Sequence, residues 1–189
     1  MKEIRDKVLK ISVKNVVATV STEIKDRINL SYISRKIEDT RYEPSRFPGL
    51  ILKIIDPPAT ALIFSTGKMV LTGLDDVELI KVAVKKIIKD LSNIDVELFN
   101  PKIAIHNIVA TSDLGVRLDL DRGIVVLERS VYEPEIFPAL TYRMQDPKAV
   151  LLLFSSGKIV CTGTVSVENA KKAVYKLFKL VKDLGIIRQ

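Results

Sequence analysis

Cysteine and histidine are almost absent from this sequence of 189 residues, which contains one of each and no tryptophan. A single cysteine, Cys161, cannot form an internal disulfide and is typical of a reducing compartment. With His106 as the only histidine, the chain also lacks the nitrogen and sulfur ligands of a structural zinc site. We therefore expect no metal and no cofactor, with Cys161 a buried thiol and His106 a sheet-edge or surface residue.

Long apolar runs are absent as well. No stretch approaches the roughly 18 residues of a membrane-spanning helix, and the first six residues are too charged for a signal peptide. The expectation is a protein that is neither exported nor inserted in a membrane.

Glycine is scarce, and its placement argues against nucleotide chemistry. Two Gly-Lys pairs, 67–68 and 157–158, lack the preceding glycine and the following Ser/Thr of a phosphate-binding loop, since Leu62 and Leu152 occupy the glycine position. No other pair of nucleophile and base stands out. The sequence therefore predicts a protein that is not an enzyme.

What the chain does have is positive charge and a large apolar fraction. A net charge of +7 and a pI near 9.4 favour an acidic partner such as nucleic acid or an anionic surface, and 47% hydrophobic residues suffice for a core.

The sequence also contains an internal duplication. Residues 42–73 align without gaps on residues 132–163, with 17 of 32 positions identical. The Asn-x-Val-Ala-Thr segment at Asn15 matches the one at Asn107, with two extra residues in the first copy that we place in a loop near 21–26. We expect two repeats, 1–98 and 99–189, within one body.

Periodicity predicts the elements of each repeat. Residues 75–92 and 166–184 have the apolar spacing of amphipathic helices, with Ser166 as an N-cap. In the second of these helices, the residues expected to face inward are Val167, Ala170, Val174, Leu177 and Leu180. Shorter helices are predicted around 29–39 and 119–129, and the strands are predicted at 11–20, 50–56, 60–65, 68–73 and their partners.

These strands are apolar on both faces, which is unusual for an antiparallel sheet covered by helices on one side. Ala61, Ile63, Met69 and Leu71 point one way, and Leu62, Phe64, Val70 and Thr72 point the other. Such a second face marks an interaction site, a homodimer interface or the core of a closed sandwich.

Three motifs recur in order in both copies: N-[IV]-V-A-T, Y-E-P-x-x-F-P-[GA] and [IL]-F-S-[ST]-G-K-[IM]-V-x-T-G. Together they resemble the core of the TATA-box-binding protein family over nearly the whole chain. The resemblance implies an α+β fold, a duplicated pseudo-two-fold saddle with a curved antiparallel sheet of about ten strands and four helices on its convex face. It also implies a transcription initiation factor that binds and bends A·T-rich promoter DNA from the minor groove.

The resemblance assigns roles to individual residues. The wedges that enter base steps at the two ends of the site are Phe47 with Phe64 and Phe137 with Phe154, whereas Phe99 and Phe178 are expected in the core. The remaining minor-groove contacts are Asn15, Val17, Leu62, Val70, Thr72, Asn107, Val109, Leu152, Val160, Thr162, Pro48 and Pro138. Phosphate contacts are Arg46, Lys53, Lys68, Arg143 and Lys158.

Departures from the repeat concern the second copy. Ala139 stands where the first copy has Gly49, so a positive φ at this position would strain the second loop. Glu133 and Glu135 make that loop the more acidic, and the resemblance implies that transcription factor B docks there and brings RNA polymerase indirectly.

Two alternatives to promoter recognition stay open, together with a third that concerns the free protein. One is an interaction scaffold of the same fold whose sheet binds protein, and the other is an architectural protein that bends DNA without preferring TATA-like steps. A homodimer of the free protein is a further alternative. The short leader resembles archaeal members, which implies a cytoplasmic, nucleoid-associated protein, whereas a eukaryotic one would be nuclear.

Overall fold

A computed structural model describes residues 9–188, and within them lie ten strands and four α-helices in two compact units. The first unit comprises residues 15–106. The second unit comprises residues 107–188 together with residues 9–14. These compact units have other boundaries than the predicted repeats, 1–98 and 99–189, so the repeat boundaries remain a prediction.

In the first unit, five antiparallel strands form a sheet in the order β2-β3-β4-β5-β1. Helix α2 packs against β5. The elements in chain order are β1 (Ile11–Glu23), α1 (Leu30–Lys36), β2 (Thr40–Arg41), β3 (Leu50–Ile54), β4 (Ala59–Ile63), β5 (Met69–Leu74) and α2 (Val77–Ser92).

The second unit repeats this arrangement with the strand order β6-β10-β9-β8-β7. Helix α4 packs against β9 and β10, and α3 packs against β8. The elements are β6 (Phe99–Asp113), α3 (Leu120–Val126), β7 (Ser130–Val131), β8 (Ala139–Met144), β9 (Ala149–Phe154), β10 (Lys158–Thr164) and α4 (Val167–Asp183).

All four helices begin at a side chain that accepts a backbone N–H, which is why they start where they do. Asp76 accepts from Glu78 N at 2.9 Å, and Ser166 accepts from Asn169 N at 3.1 Å. Asn29 and Asp119 do the same for the two short helices. The four predicted helices are therefore confirmed, the two long ones to within two residues at each end.

Each core lies between the helices and one face of the strands. In the second unit, the buried cluster joins Leu151, Leu153 and Cys161 of the sheet to α3 and α4. The predicted alternation of strand faces is confirmed in both units. For α4 the predicted face was slightly wrong: Val167 and Leu180 are only half-buried, and Ala173 and Val181 are fully buried.

The two extra residues of the first copy lie where the sequence placed them, but they lengthen a strand. Thr19 pairs with Val70 as Thr111 pairs with Val160, so the copies are still in register there. They diverge afterwards because β1 continues to Glu23, while β6 ends at Asp113.

Four further predictions concern single residues. Cys161 is buried as predicted, and burial raises the pKa of its thiol to about 11. His106 is exposed, also as predicted. Phe99 was predicted in the core and is instead 37% exposed, with Lys25 Nζ 5.8 Å from the centroid of its ring. Phe178 packs against the core as predicted.

In the part of the chain that the structure describes, no helix is both long and apolar enough to cross a membrane.

Candidate nucleic-acid interface

Each unit has a sheet face that its helices do not cover, which we call the open face. Its side chains alternate along the strands with fully buried ones and are half-buried themselves. Leu62 and Val70 lie on this face in the first unit, and Leu152 and Val160 occupy the same places in the second. An antiparallel sheet normally has polar residues on its solvent side, so these apolar positions mark a contact surface.

Strand register arranges the open face in rows that run across the strands. One row of the first unit is Ile51, Leu62, Val70 and Thr19, and the equivalent row of the second unit is Thr141, Leu152, Val160 and Thr111. The next row is Lys53, Thr60 and Thr72 in the first unit, and Arg143, Val150 and Thr162 in the second. Each unit therefore presents a row with two apolar residues at its centre beside a row that ends in a cation.

The same set of hydrogen bonds occurs once in each unit and fixes one asparagine next to these rows. Asn15 Oδ1 accepts from Gly73 N at 2.8 Å and from Thr72 Oγ1 at 3.1 Å. Asn107 Oδ1 accepts from Gly163 N and Thr162 Oγ1 at the same distances. Because a backbone N–H can only donate, the amide oxygen must face it.

This arrangement leaves the Nδ2 group of each asparagine as the donor for a ligand, since the threonine hydroxyl already donates within the protein. Thr72 and Thr162, which the resemblance also places among the minor-groove contacts, have their hydroxyl hydrogens engaged by the asparagines. The glycine is required because it lies at an irregularity of the strand register, with φ of +96° at Gly73 and +77° at Gly163.

The four predicted wedge phenylalanines meet in two pairs, one in each unit. The ring centroids of Phe47 and Phe64 are 5.9 Å apart at an interplanar angle of 65°, and those of Phe137 and Phe154 are 6.2 Å apart at 69°. Edge-to-face pairs of this kind hold each other in place. Phe47 is nevertheless 37% exposed and Phe137 45% exposed, so each pair offers an aromatic ring to a ligand.

Matching turns position both pairs. The N–H groups of Arg46 and Phe47 donate to Glu43 O at 2.9 and 3.0 Å, and those of Ile136 and Phe137 donate to Glu133 O, both at 2.9 Å. Pro48 and Pro138 follow the phenylalanines and are exposed. We refer to these segments as the 42–49 loop and the 132–139 loop.

The expected strain at Ala139 rested on a condition that the structure does not meet, because Gly49 does not have a positive φ. Glycine at this position has another reason. A Cβ there would lie 2.7 Å from Phe47 Cε1 and 3.0 Å from Phe64 Cε1, so it would collide with the aromatic pair. In the second unit, where Ala139 is buried in β8, the aromatic pair is slightly wider.

The predicted phosphate contacts are all exposed, and four of the five lie on the open face. Lys53 and Arg143 end the rows described above, and Lys68 and Lys158 precede Val70 and Val160 by two positions, which places them on the same face. The fifth, Arg46, lies in the 42–49 loop, with its guanidinium 3.4 Å from Glu43.

Charge differs strongly between the two loops. In the 42–49 loop Glu43 is bound by Arg46 and also by Arg41 of β2, at 2.7 Å. The 132–139 loop has Glu133 and Glu135, both exposed, and neither forms an ion pair within residues 9–188. Its negative charge is therefore free for a partner.

Sequence reasoning missed several residues of the open face. Thr19, Thr60, Ile51 and their partners in the second unit complete the rows, and Arg41 lies opposite Ile51 on β2. Extending the alternation of faces to β1 and β3 identifies Thr19 and Ile51, and extending it to the start of β4 identifies Thr60. Arg41 had no such signal, because a strand of two residues has no measurable period.

This geometry agrees with comparisons to known proteins. A family model described as "Transcription factor TFIID (or TATA-binding protein, TBP)" matches residues 10–94 and 102–184. The chain belongs to the TATA-binding protein family. The two matched segments also show that the duplication found in the sequence is the repeat of this family.

Relatives in the TATA-binding protein family match over most of their length. The chain is 45% identical over 181 residues to the TATA-box-binding protein of Archaeoglobus fulgidus, covering 94% of this chain and 98% of the relative. It is 42% identical over 179 residues to that of Methanocaldococcus jannaschii, covering 94% and 98%. A solved structure titled Methanococcus jannaschii TBP matches with a TM-score of 0.85 at 43% identity, covering 92% of this chain and 99% of that one. The predicted fold class of the TATA-binding protein family is thereby confirmed.

Proposed function

We propose that this chain is a general transcription initiation factor that binds the TATA box of promoter DNA in the minor groove. The observation that carries the proposal is the pair of open faces, each a largely apolar surface on which one asparagine, Asn15 or Asn107, is held with its Nδ2 as a donor. This combination is complementary to the edge that A·T pairs present in the minor groove.

The match is chemical. In the minor groove, A·T and T·A pairs both present acceptors, A N3 and T O2, whereas a G·C pair adds the protruding N2 amino group of guanine. A donor on the protein pairs with the A·T acceptors. An apolar floor formed by Leu62, Val70, Leu152 and Val160 has no acceptor for the guanine amino group, so a G·C pair would bury that group unsatisfied. Val17 and Val109 extend the same floor.

The aromatic pairs supply the deformation. A phenylalanine ring inserted into a base step replaces base stacking without requiring a hydrogen-bond partner, and it kinks the duplex toward the major groove. All four rings are proposed wedges; Phe47 and Phe137 are the more exposed members, and they contact Phe64 and Phe154 edge to face. Steps that unstack easily, such as TA, lower the cost of the bend and contribute to selectivity.

Cations on the open faces complete the interface. Lys53, Lys68, Arg143 and Lys158 are placed to contact the phosphates that border the groove, with Arg46 as a further contact from its loop. Each phosphate that is neutralised releases counterions and steepens the salt dependence of binding by about 0.9 on a log–log plot.

The 132–139 loop is the proposed docking site for transcription factor B, through which RNA polymerase is recruited. Glu133 and Glu135 support this assignment because no arginine within residues 9–188 neutralises them, in contrast to Glu43. Reversing both charges with lysine should abolish the ternary complex with transcription factor B and DNA in a gel shift while TATA binding persists. A ternary complex of undiminished stability would remove these residues from the contact.

The test of DNA binding compares a TATA duplex with a G·C-rich duplex by gel shift and by a fluorescence bend assay, for wild type, Phe64→Ala and Phe154→Ala. Phe99→Ala is the matched control, since it removes a phenylalanine that is 37% exposed and belongs to neither aromatic pair. We expect selective binding and a bend that only the Phe64 and Phe154 variants reduce. Binding without selectivity would favour the architectural alternative, and no binding would favour the protein scaffold.

A further inference from the structure

Two residues at equivalent positions of the two units have the same backbone conformation but side chains of opposite charge. Asp39 and Arg129 both have a positive φ, +57° and +61°. Their carbonyl groups accept from Lys53 N at 3.0 Å and from Arg143 N at 3.1 Å. The surrounding backbone is thus the same, and the exchange of an acid for a base is the difference.

The surroundings of these residues differ in charge in the same sense. In the second unit a surface cavity of about 480 Å³ is lined by Arg129, Arg143, Met144, Gln145 and Lys148, three cations without a carboxylate. In the first unit a cavity of about 350 Å³ that includes the equivalent residues is lined by Lys53 and Lys86 but also by Glu38, Asp39, Asp56 and Asp90. Glu38 and Asp56 have acidic counterparts in the second unit, Glu128 and Asp146, so the exchange of an acid for a base is at Asp39. Proline at position 58 stands where the second unit has Lys148.

The three cations of the second unit are also free to bind a ligand. None of them forms an ion pair within residues 9–188. The nearby carboxylate of Asp146 is 3.4 Å from Lys176 Nζ, which holds it against α4. The cluster therefore keeps its full positive charge.

We propose that Arg129 and Lys148, beside Arg143, form a site for the DNA backbone that flanks the A·T-rich element, on the side of the second unit only. Three cations around one cavity match consecutive phosphates, and the guanidinium of Arg129 can bind phosphate oxygens in a bidentate manner. DNA is favoured over an acidic protein because Arg143 lies on the open face, so a backbone bound there continues from the groove contacts. In the first unit Asp39 stands in place of Arg129 and Pro58 in place of Lys148, so the site is missing on the other flank.

This inference rests on the proposed function and extends it: the two ends of the bound element are not equivalent, and the protein contacts more phosphates on one flank. The equivalent position in the first unit also allows the reverse substitution to be made. Because Asp39 and Arg129 share one backbone conformation, Asp39→Arg should create part of the same site in the first unit without changing the fold.

The experiment measures the salt dependence of binding to a TATA duplex with flanks on both sides and to a duplex trimmed to the element. The variants are Arg129→Ala with Lys148→Ala, Arg129→Lys, and Asp39→Arg. A control, Lys172→Ala with Lys179→Ala, removes two exposed charges from α4. Chemical footprinting of the backbone records which flank is protected.

We expect the Arg129 and Lys148 double variant to lower the log–log slope by about 1.8 on the flanked duplex and to leave it unchanged on the trimmed one. Arg129→Lys should keep the wild-type slope, Asp39→Arg should raise it, and protection should extend along one flank. An unchanged slope on the flanked duplex, or an equal loss on the trimmed duplex, would overturn the flank site while TATA binding stands. Wild type that fails to select the TATA duplex would overturn the proposed function and this inference with it.

Discussion

The glycine beneath the first aromatic pair provides a prediction whose size follows from the structure. A Cβ at position 49 would lie about 0.7 Å closer to Phe47 Cε1, and about 0.4 Å closer to Phe64 Cε1, than ordinary van der Waals contact allows, so the rings must move. Forcing a ring off its preferred rotamer costs about 0.5 to 1.5 kcal/mol. The methyl group also restricts the unfolded chain, which stabilises the fold by about 0.4 to 1 kcal/mol.

These two effects offset each other in Gly49→Ala, which should therefore change the free energy of unfolding by less than about 1 kcal/mol. A double-mutant cycle with Phe47→Ala separates them. When the ring of Phe47 is absent, the same Gly49→Ala change should stabilise the protein by about 0.4 to 1 kcal/mol. Position 139 is the control, because the reverse change Ala139→Gly relieves no strain and should destabilise the protein by about 1 kcal/mol.

Urea unfolding of the four proteins of the cycle tests this reasoning. Circular dichroism is the suitable signal, because the chain has no tryptophan. A coupling of about 1 kcal/mol between positions 47 and 49 is expected from the same ring displacement. If Gly49→Ala alone stabilised the protein as much as it does in the Phe47→Ala background, the collision beneath the aromatic pair would be refuted.

Three further predictions concern the donor, the thiol and the helix caps. Asn15→Asp and Asn107→Asp keep the oxygen that Thr and Gly contact but replace the donor with an acceptor, so TATA affinity measured by gel shift should fall at least about tenfold; equal affinity would exclude Nδ2 as the reading group. The thiol pKa of Cys161 is raised from 9.0 to about 11 in the folded state, so the unfolded chain loses its thiol proton first as the pH rises. The free energy of unfolding of wild type relative to Cys161→Ala should therefore be constant below pH 9 and fall by about 2 to 3 kcal/mol as the pH rises through 11. A flat difference in urea unfolding across that range would contradict the burial of the thiol. Asp76→Ala and Ser166→Ala should each lower the free energy of unfolding by about 1 kcal/mol, and a loss below the error of the measurement would show that the cap bonds contribute little.

The amino-acid sequence was sufficient to predict most of the fold because its signals are local and doubled. Caps such as Ser166 and the spacing of apolar residues identify helices without any knowledge of tertiary structure. The alternation at Leu62 and Val70 predicts an uncovered sheet face from the strands alone. The duplication strengthens each signal, because every element is present in two independent copies.

The details that the sequence missed depend on contacts between residues distant in the chain. Asn15 and Thr72 form one hydrogen-bonded group only after β1 pairs with β5, so no local pattern shows which of them donates to a ligand. The reason for Gly49 likewise lies in the ring of Phe64, and not in its own backbone. The exposure of Phe99 was missed because an aromatic residue at the start of a strand has no periodicity to place it.

Recognition of the TATA element through its minor groove is tested most directly with a duplex in which inosine·cytosine pairs replace the A·T pairs of the element. An inosine·cytosine pair lacks the guanine N2 amino group and so resembles A·T in the minor groove, while it resembles G·C in the major groove. We expect this duplex to bind within a few-fold of the TATA duplex, and we expect no binding of the G·C duplex. Binding of the inosine duplex as weak as that of the G·C duplex would contradict recognition through the minor groove.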